Sequence, residues 1–170
     1  MVVLIGPAGS GKSTLAARLA PSADVLSSDA FRAQIGRGEA DQSVTGAAFG
    51  ALHRALEARL ATRRTTVIDA TSLTAAARSA VLKRARAHGA TAIAIVLDLP
   101  PDLVLARNAG RPDRVVPEPA VRRQLAMLTS VTDPVLTAEG FAIVRRVRTD
   151  ADLAAVRIED GAPESRLGDP

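Results

Sequence analysis

GPAGSGKST occupies residues 6–14, between the short apolar run VVLIG (2–6) and the helix-forming stretch KSTLAARLA (12–20). Gly6 to Ser13 fits the pattern G-x-x-x-x-G-K-[ST], and the strand before it and helix after it supply the context that gives the pattern meaning. Glycines in such a loop let backbone N–H groups converge on phosphate oxygens at a helix N-terminus, where the helix dipole favours negative charge. The spacing predicts that Lys12 reaches the β- and γ-phosphates of a nucleoside triphosphate and that the Ser13 hydroxyl faces Mg²⁺.

Working outward, strands and helices alternate. Pro21 stops the first helix, DVLSS (24–28) reads as a second strand, and DAFRAQI (29–35) as the helix after it. Gly and Asp interrupt the chain at 36–41, before a helix over 44–63 with Phe49, Leu52, Leu56 and Leu60 at helical spacing. TTVIDA (65–70) and TAIAIVLDL (91–99) are apolar strands around a helix that Gly89 ends. A brief helix after Pro101, the loop AGRPDRVVPEP, a helix at 118–130, the strand FAIVRRV (141–147) and a short helix at 150–157 complete the pattern. Five strands separated by helices imply an α/β fold, a mostly parallel sheet with helices on both faces and a small arginine-bearing lid. The expected domain is 1–157, and 158–170, rich in Gly, Pro and charge, reads as a flexible tail or linker.

Composition narrows the chemistry. With 170 residues, 47% of them apolar, the chain has the makings of about one domain with a real core. It has no Cys, Trp or Tyr, which excludes disulfides and cysteine metal sites, and two His are too few for a histidine zinc site. The opening MVVLIG has no basic region and is too short for a leader or a membrane span, so the cytoplasm is the expected location. Net charge is +4, and all but Lys12 and Lys83 of the 22 basic residues are arginine. That balance permits a polyanionic substrate without requiring one.

Three other stretches carry candidate chemistry. VLSSD ends a parallel strand at the edge where such sheets bind ligands, and Asp29 stands three residues before Arg32, one helical turn away. Transfer of a phosphoryl group to a hydroxyl wants a carboxylate for the proton, and a cation if the acceptor bears phosphate. By spacing alone, Asp29 or Ser28 reads equally well as a helix cap, with Arg32 facing solvent. RNAGRPDR places Arg107, Arg111 and Arg114 within one loop, either a clamp on the transferring group or a solvated basic patch; Arg122 and Arg123 make a weaker claim. Asp69, closing VIDAT, is a candidate for Mg²⁺ or its water, or a capping carboxylate; Thr71 and Ser72 could start the next helix. Asp98 shares that ambiguity, and neither His53 nor His88 reads as a base.

Together GPAGSGKST, SSDAFR (27–32), DQSVTGAAFGALH (41–53), VIDAT and RNAGRPDR resemble the bacterial polynucleotide 5′-kinase domain, the kinase module of end-healing enzymes that repair RNA or DNA breaks. The resemblance runs from about residue 2 to 157, and its most specific part is 41–53, for which general rules give no reason. It implies a P-loop kinase-like fold that moves the ATP γ-phosphate to a 5′-hydroxyl end of RNA or DNA. Residue by residue, it makes Gly6, Gly9, Ser10, Gly11, Lys12, Ser13 and Thr14 the nucleotide loop, with Mg²⁺ on Ser13 and Asp69. It makes Asp29 the general base, Arg32 the holder of the phosphate beside the acceptor, and Arg111 and Arg114 a lid on the donor phosphates. Enzymes of that kind are modular, so the resemblance also implies a free-standing kinase or one fused to, or associated with, phosphatase or ligase functions. Alanine-rich helical faces could pack against a second copy as a homodimer.

The alternative on the same scaffold is a kinase for a small hydroxyl compound or a nucleotide sugar. A nucleotide-binding switch without group transfer is the remaining class. With three Phe as its whole aromatic complement, the chain lacks platforms for stacking a long single strand.

Overall fold

A computed structural model describes residues 1–21, 24–112 and 114–157; the expected tail at 158–170 lies outside the described residues. Among these, five strands form one sheet in the order β2-β3-β1-β4-β5, where β1 is Val2–Ile5, β2 Val25–Ser27, β3 Val67–Asp69, β4 Ile93–Leu97 and β5 Ile143–Val147. Every neighbouring pair runs parallel, with Val3 beside Ile68 on one side and Ala94 on the other. The helices are α1 (Lys12–Leu19), α2 (Ser28–Ile35), α3 (Thr45–Ala61), α4 (Ala75–Ala87), α5 (Pro101–Ala109), α6 (Glu118–Leu128), α7 (Asp133–Glu139) and α8 (Asp150–Ala155).

Parallel strands covered on both faces must be apolar along their whole length, and β1 is buried at all four positions. Its alternating side chains feed two cores. Val3 and Ile5 pack with Leu52, Leu56 and Leu60 of α3 and Val81 and Leu82 of α4. Val2 and Leu4 pack with Leu15 of α1, Val104 of α5 and Val121 of α6. The helical spacing of Leu52, Leu56 and Leu60 thus marks the core face of α3, whereas Phe49, one turn earlier, is only half-buried.

The strands and helices expected from sequence form, mostly a residue or two shorter at their ends. One α-helix was not expected. α7 starts where the Thr132 hydroxyl accepts from Val135 N at 3.4 Å and ends at Gly140, which adopts φ +107°. A cap, a proline in the first turn and a terminal glycine are all legible in TDPVLTAEG, but seven residues give too little periodicity to mark a helix. At the margin of the sheet, β5 pairs with β4 and leaves Ile143 55% exposed. Among the described residues no helix is long and apolar enough to cross a membrane.

The carboxyl ends of β1, β2 and β3 therefore open on one edge, delivering the glycine loop, Asp29 and Asp69 to the same place. Leu56 is fully buried between α3 and the sheet. Leu56→Ala should lower stability by about 2–5 kcal/mol, read as an earlier urea midpoint at unchanged slope. The same truncation at exposed Ile143 should cost less than about 0.5 kcal/mol.

Candidate active site

The glycine loop is held by conformations that other residues resist. Gly9 and Gly11 have φ of +83° and +91°. A Cβ on Gly9 would collide with the Val104 carbonyl and lie 3.0 Å from the Asn108 Cβ, so the loop rests directly on the backbone of α5. A Cβ on Gly6 would sit 2.9 Å from the Ser10 hydroxyl, which is buried within the loop. Gly11 is the N-cap of α1 and brings no side chain to the first helical amides. Lys12, only 8% exposed, folds back so that Nζ donates to the Pro7 carbonyl at 2.7 Å. Burial pulls its pKa down to about 8, Asp69 opposing the shift and Arg111 adding to it. It is still mostly charged at neutral pH, and a phosphate at the loop would offset the cost of burying that charge.

Asp29 does not cap its helix. Ser27 does, accepting from Ala30 N at 3.4 Å, and Asp29 sits in the first turn of α2. Its Oδ1 takes the Arg32 guanidinium, and its Oδ2 accepts from Arg114 Nη1 at 2.6 Å. Arg32 is 7% exposed rather than solvent-facing, and its Nε donates to the Glu39 carbonyl at 2.9 Å. It ties α2 to the Gly-rich bend that precedes α3.

Beyond that bend, Asp41 accepts from the backbone N–H of Arg37 and of Ser43, each at 3.1 Å, and starts a single 3₁₀ turn at Gln42–Val44. Those bonds, with the Ser43 hydroxyl first among them, draw its carboxyl pKa down to about 2. The turn delivers Gln42, Thr45 and Phe49 to a cavity of about 800 Å³ shared with the glycine loop, Asp29, Asp69 and Arg111. The stretch 41–53, which general rules left without a reason, is one wall of the site.

The arginine loop and α6 supply another part of the lining. Arg107, Arg111 and Arg114 all reach the cavity, Arg107 while paired with Asp150 at 2.7 Å. From α6, Gln124 Oε1 accepts the Ala8 N–H at 2.7 Å. A cradle of positive-φ glycines with an adjacent lysine fits a polyphosphate. Among the described residues no group of three His, Cys, Asp or Glu could hold a metal by itself. The Ser13 hydroxyl and Asp69 carboxylate suit a Mg²⁺ that takes its remaining ligands from phosphates and water.

A family model described as an AAA domain matches residues 1–134. The chain belongs to the AAA domain family. This AAA domain is similar in structure to a gluconokinase from Sinorhizobium meliloti 1021, with 20% identity, a TM-score of 0.58 and 90% of this chain and 84% of that one covered. It is similar to a sugar kinase from Janibacter sp. HTCC2649, at 21% identity and TM-score 0.58, covering 89% and 88%. A chain of the Pnkp1/Rnl/Hen1 RNA repair complex aligns at 23% identity and TM-score 0.62 over 76% of this chain, but over only 43% of its own length. No curated protein matches the chain. Identities of this size speak for the fold, which is P-loop kinase-like with a five-stranded parallel sheet.

Not every residue singled out in the sequence comes to the site of this AAA domain. Arg122 pairs with Glu118 on the exposed face of α6, and neither it nor Arg123 lines the cavity. Asp98 pairs with Arg146 at 3.0 Å, and His88 with Glu57 at 3.2 Å. Thr74, not Thr71 or Ser72, caps α4; Thr71 lines the cavity instead. Sequence reasoning missed Gln124, whose partner lies 116 residues away, and gave Asn108 no role. A glutamine within a helix carries no local sign of such a contact. Gly9→Ala should fold yet weaken ATP binding by at least about tenfold, because the methyl must displace either the loop or α5; isothermal titration alongside a thermal melt checks both halves.

Proposed function

We propose that this chain is a nucleotide-dependent phosphotransferase that moves the γ-phosphoryl group of ATP onto a hydroxyl of a small molecule. One observation carries the reading: Asp29 stands in the same cavity as the glycine loop, with a cation on each carboxylate oxygen. As the acceptor oxygen bonds to the γ-phosphorus, Asp29 takes the hydroxyl proton. The bond from that phosphorus to the β–γ bridging oxygen breaks, and the nucleoside diphosphate leaves. Lys12 and Arg111 stabilise charge on the donor phosphates. Ser13 and Asp69 would hold Mg²⁺, which supplies further neutralisation when bound.

Arg114 has two claims on it. It donates to Asp29 Oδ2 and lines the same cavity as the glycine loop, so a γ-phosphate in the loop is a competing anion for the same guanidinium. Donor binding then uncovers the base. Arg32 lines the same cavity, with Nε given to the Glu39 carbonyl and Nη2 to Asp29, so part of its guanidinium holds the frame of the site. The likeness in fold to a gluconokinase and a sugar kinase over most of both chains supports a small hydroxyl compound over a nucleic-acid end.

The second reading, a 5′-hydroxyl end of RNA or DNA, keeps one specific support. The wall formed by Gln42, Thr45 and Phe49 belongs to the stretch that resembles polynucleotide 5′-kinases. ATP labelled at the γ-phosphate, offered with Mg²⁺ and a panel of sugars, nucleosides, nucleotides and oligonucleotides with 5′-hydroxyl or 5′-phosphate ends, separates the two. Label on a small hydroxyl compound is the expected result, and label confined to the 5′-hydroxyl oligomer gives the site to the second reading. Asp29→Asn should lower transfer about 10²–10⁴-fold while ATP affinity stays within a few-fold. Release of free phosphate with every acceptor unlabelled would overturn both.

A further inference from the structure

Asn108 is the second-last residue of α5, yet it is only 3% exposed. Its Nδ2 donates to the Val116 carbonyl at 2.7 Å, and its Oδ1 accepts from the Val116 N–H at 3.1 Å. One carboxamide thus satisfies both backbone groups of a residue eight positions ahead, as a neighbouring strand would. Between the two anchor points the chain carries Arg111 and Arg114. On its other side the backbone and Cβ of Asn108 sit where a Cβ on Gly9 would come to 3.0 Å. The same residue therefore touches the floor of the phosphate loop and pins the base of the arginine loop.

We propose that Asn108 is a positioning residue, which sets Arg111 and Arg114 over the donor phosphates by fastening their loop to Val116. The inference rests on the reading of those arginines as a clamp on the donor. A carboxamide is needed because Val116 offers one donor and one acceptor, and only a side chain with both can pair them. Removing it leaves both backbone groups of half-buried Val116 without this partner and returns freedom to a loop whose guanidiniums must point at one place. An error of about 1 Å in such groups costs on the order of 10²-fold in rate.

The test uses the full chain with Asn108→Ala and with Asn108→Asp, which keeps the volume but offers no N–H to the Val116 carbonyl. Each is combined with Arg111→Ala and Arg114→Ala together, and exposed Arg122→Ala serves as a control. Thermal melts identify the variants that fold, and affinities for ATP and ADP are measured by titration calorimetry beside turnover. Either Asn108 variant should weaken ATP binding about tenfold and ADP binding less than threefold, since the γ-phosphate is what the clamp reads. With both arginines already replaced, a further change at Asn108 should add less than a factor of two, the non-additivity of residues that act as one unit. Arg122→Ala should change nothing. Equal losses for ATP and ADP, or losses that multiply in the combined variant, overturn the proposal and leave Asn108 a purely structural residue. ATP bound with normal coupling but no acceptor labelled defeats the kinase reading alone, because the coupling is read on affinity.

Discussion

A carboxylate held by two guanidiniums joins parts of this fold that have no other reason to meet. Asp29 comes from the first turn of α2, Arg32 from one helical turn on, and Arg114 from a loop 85 residues later. Arg32 reaches on to the bend before α3, so the wall that carries Gln42, Thr45 and Phe49 hangs on the same group. Removing Asp29 would leave two arginines, both largely shielded from water, facing each other without an anion. Buried charge tolerates that poorly, since breaking a pair from one side costs far more than the pair contributes.

The sheet makes this junction possible. β1, buried on both faces, stands at the centre of the strand order, and its carboxyl end is where the order changes direction. Crevices at such points are where open parallel sheets place ligands. The glycine loop fills the crevice, and its close approach to α5 sets where the arginine loop can begin. Local backbone geometry at Gly9 thus governs the position of residues a hundred places further on.

Much of this was legible in the sequence, and the parts that were not share a cause. The parallel sheet, the phosphate loop and the proximity of Asp29 to Arg32 all follow from periodicity or short spacing. The burial of Arg32 does not, because nothing local says that the bend at 36–41 folds over it. RNAGRPDR announced a loop of cations, but the neighbouring Arg122 looked much the same and faces solvent beside Glu118. The contacts of Asn108 and Gln124 were invisible because their partners are backbone groups. A backbone amide has no sequence signature, so a side chain devoted to one looks like any other polar residue.

β5 has a consequence for life in solution. The strand lies at the rim of the sheet, and its outer backbone groups are a template for another strand. The sequence there is IVRRV, with Arg145 turned outward and Arg146 tied to Asp98 and Asp133. Two copies meeting rim to rim would bring like charges together beside the exposed Ile143. Arginine keeps its charge at any pH the protein will meet, so the repulsion does not switch off. Among the described residues the sheet ends at this fifth strand, where a fixed charge opposes a further one.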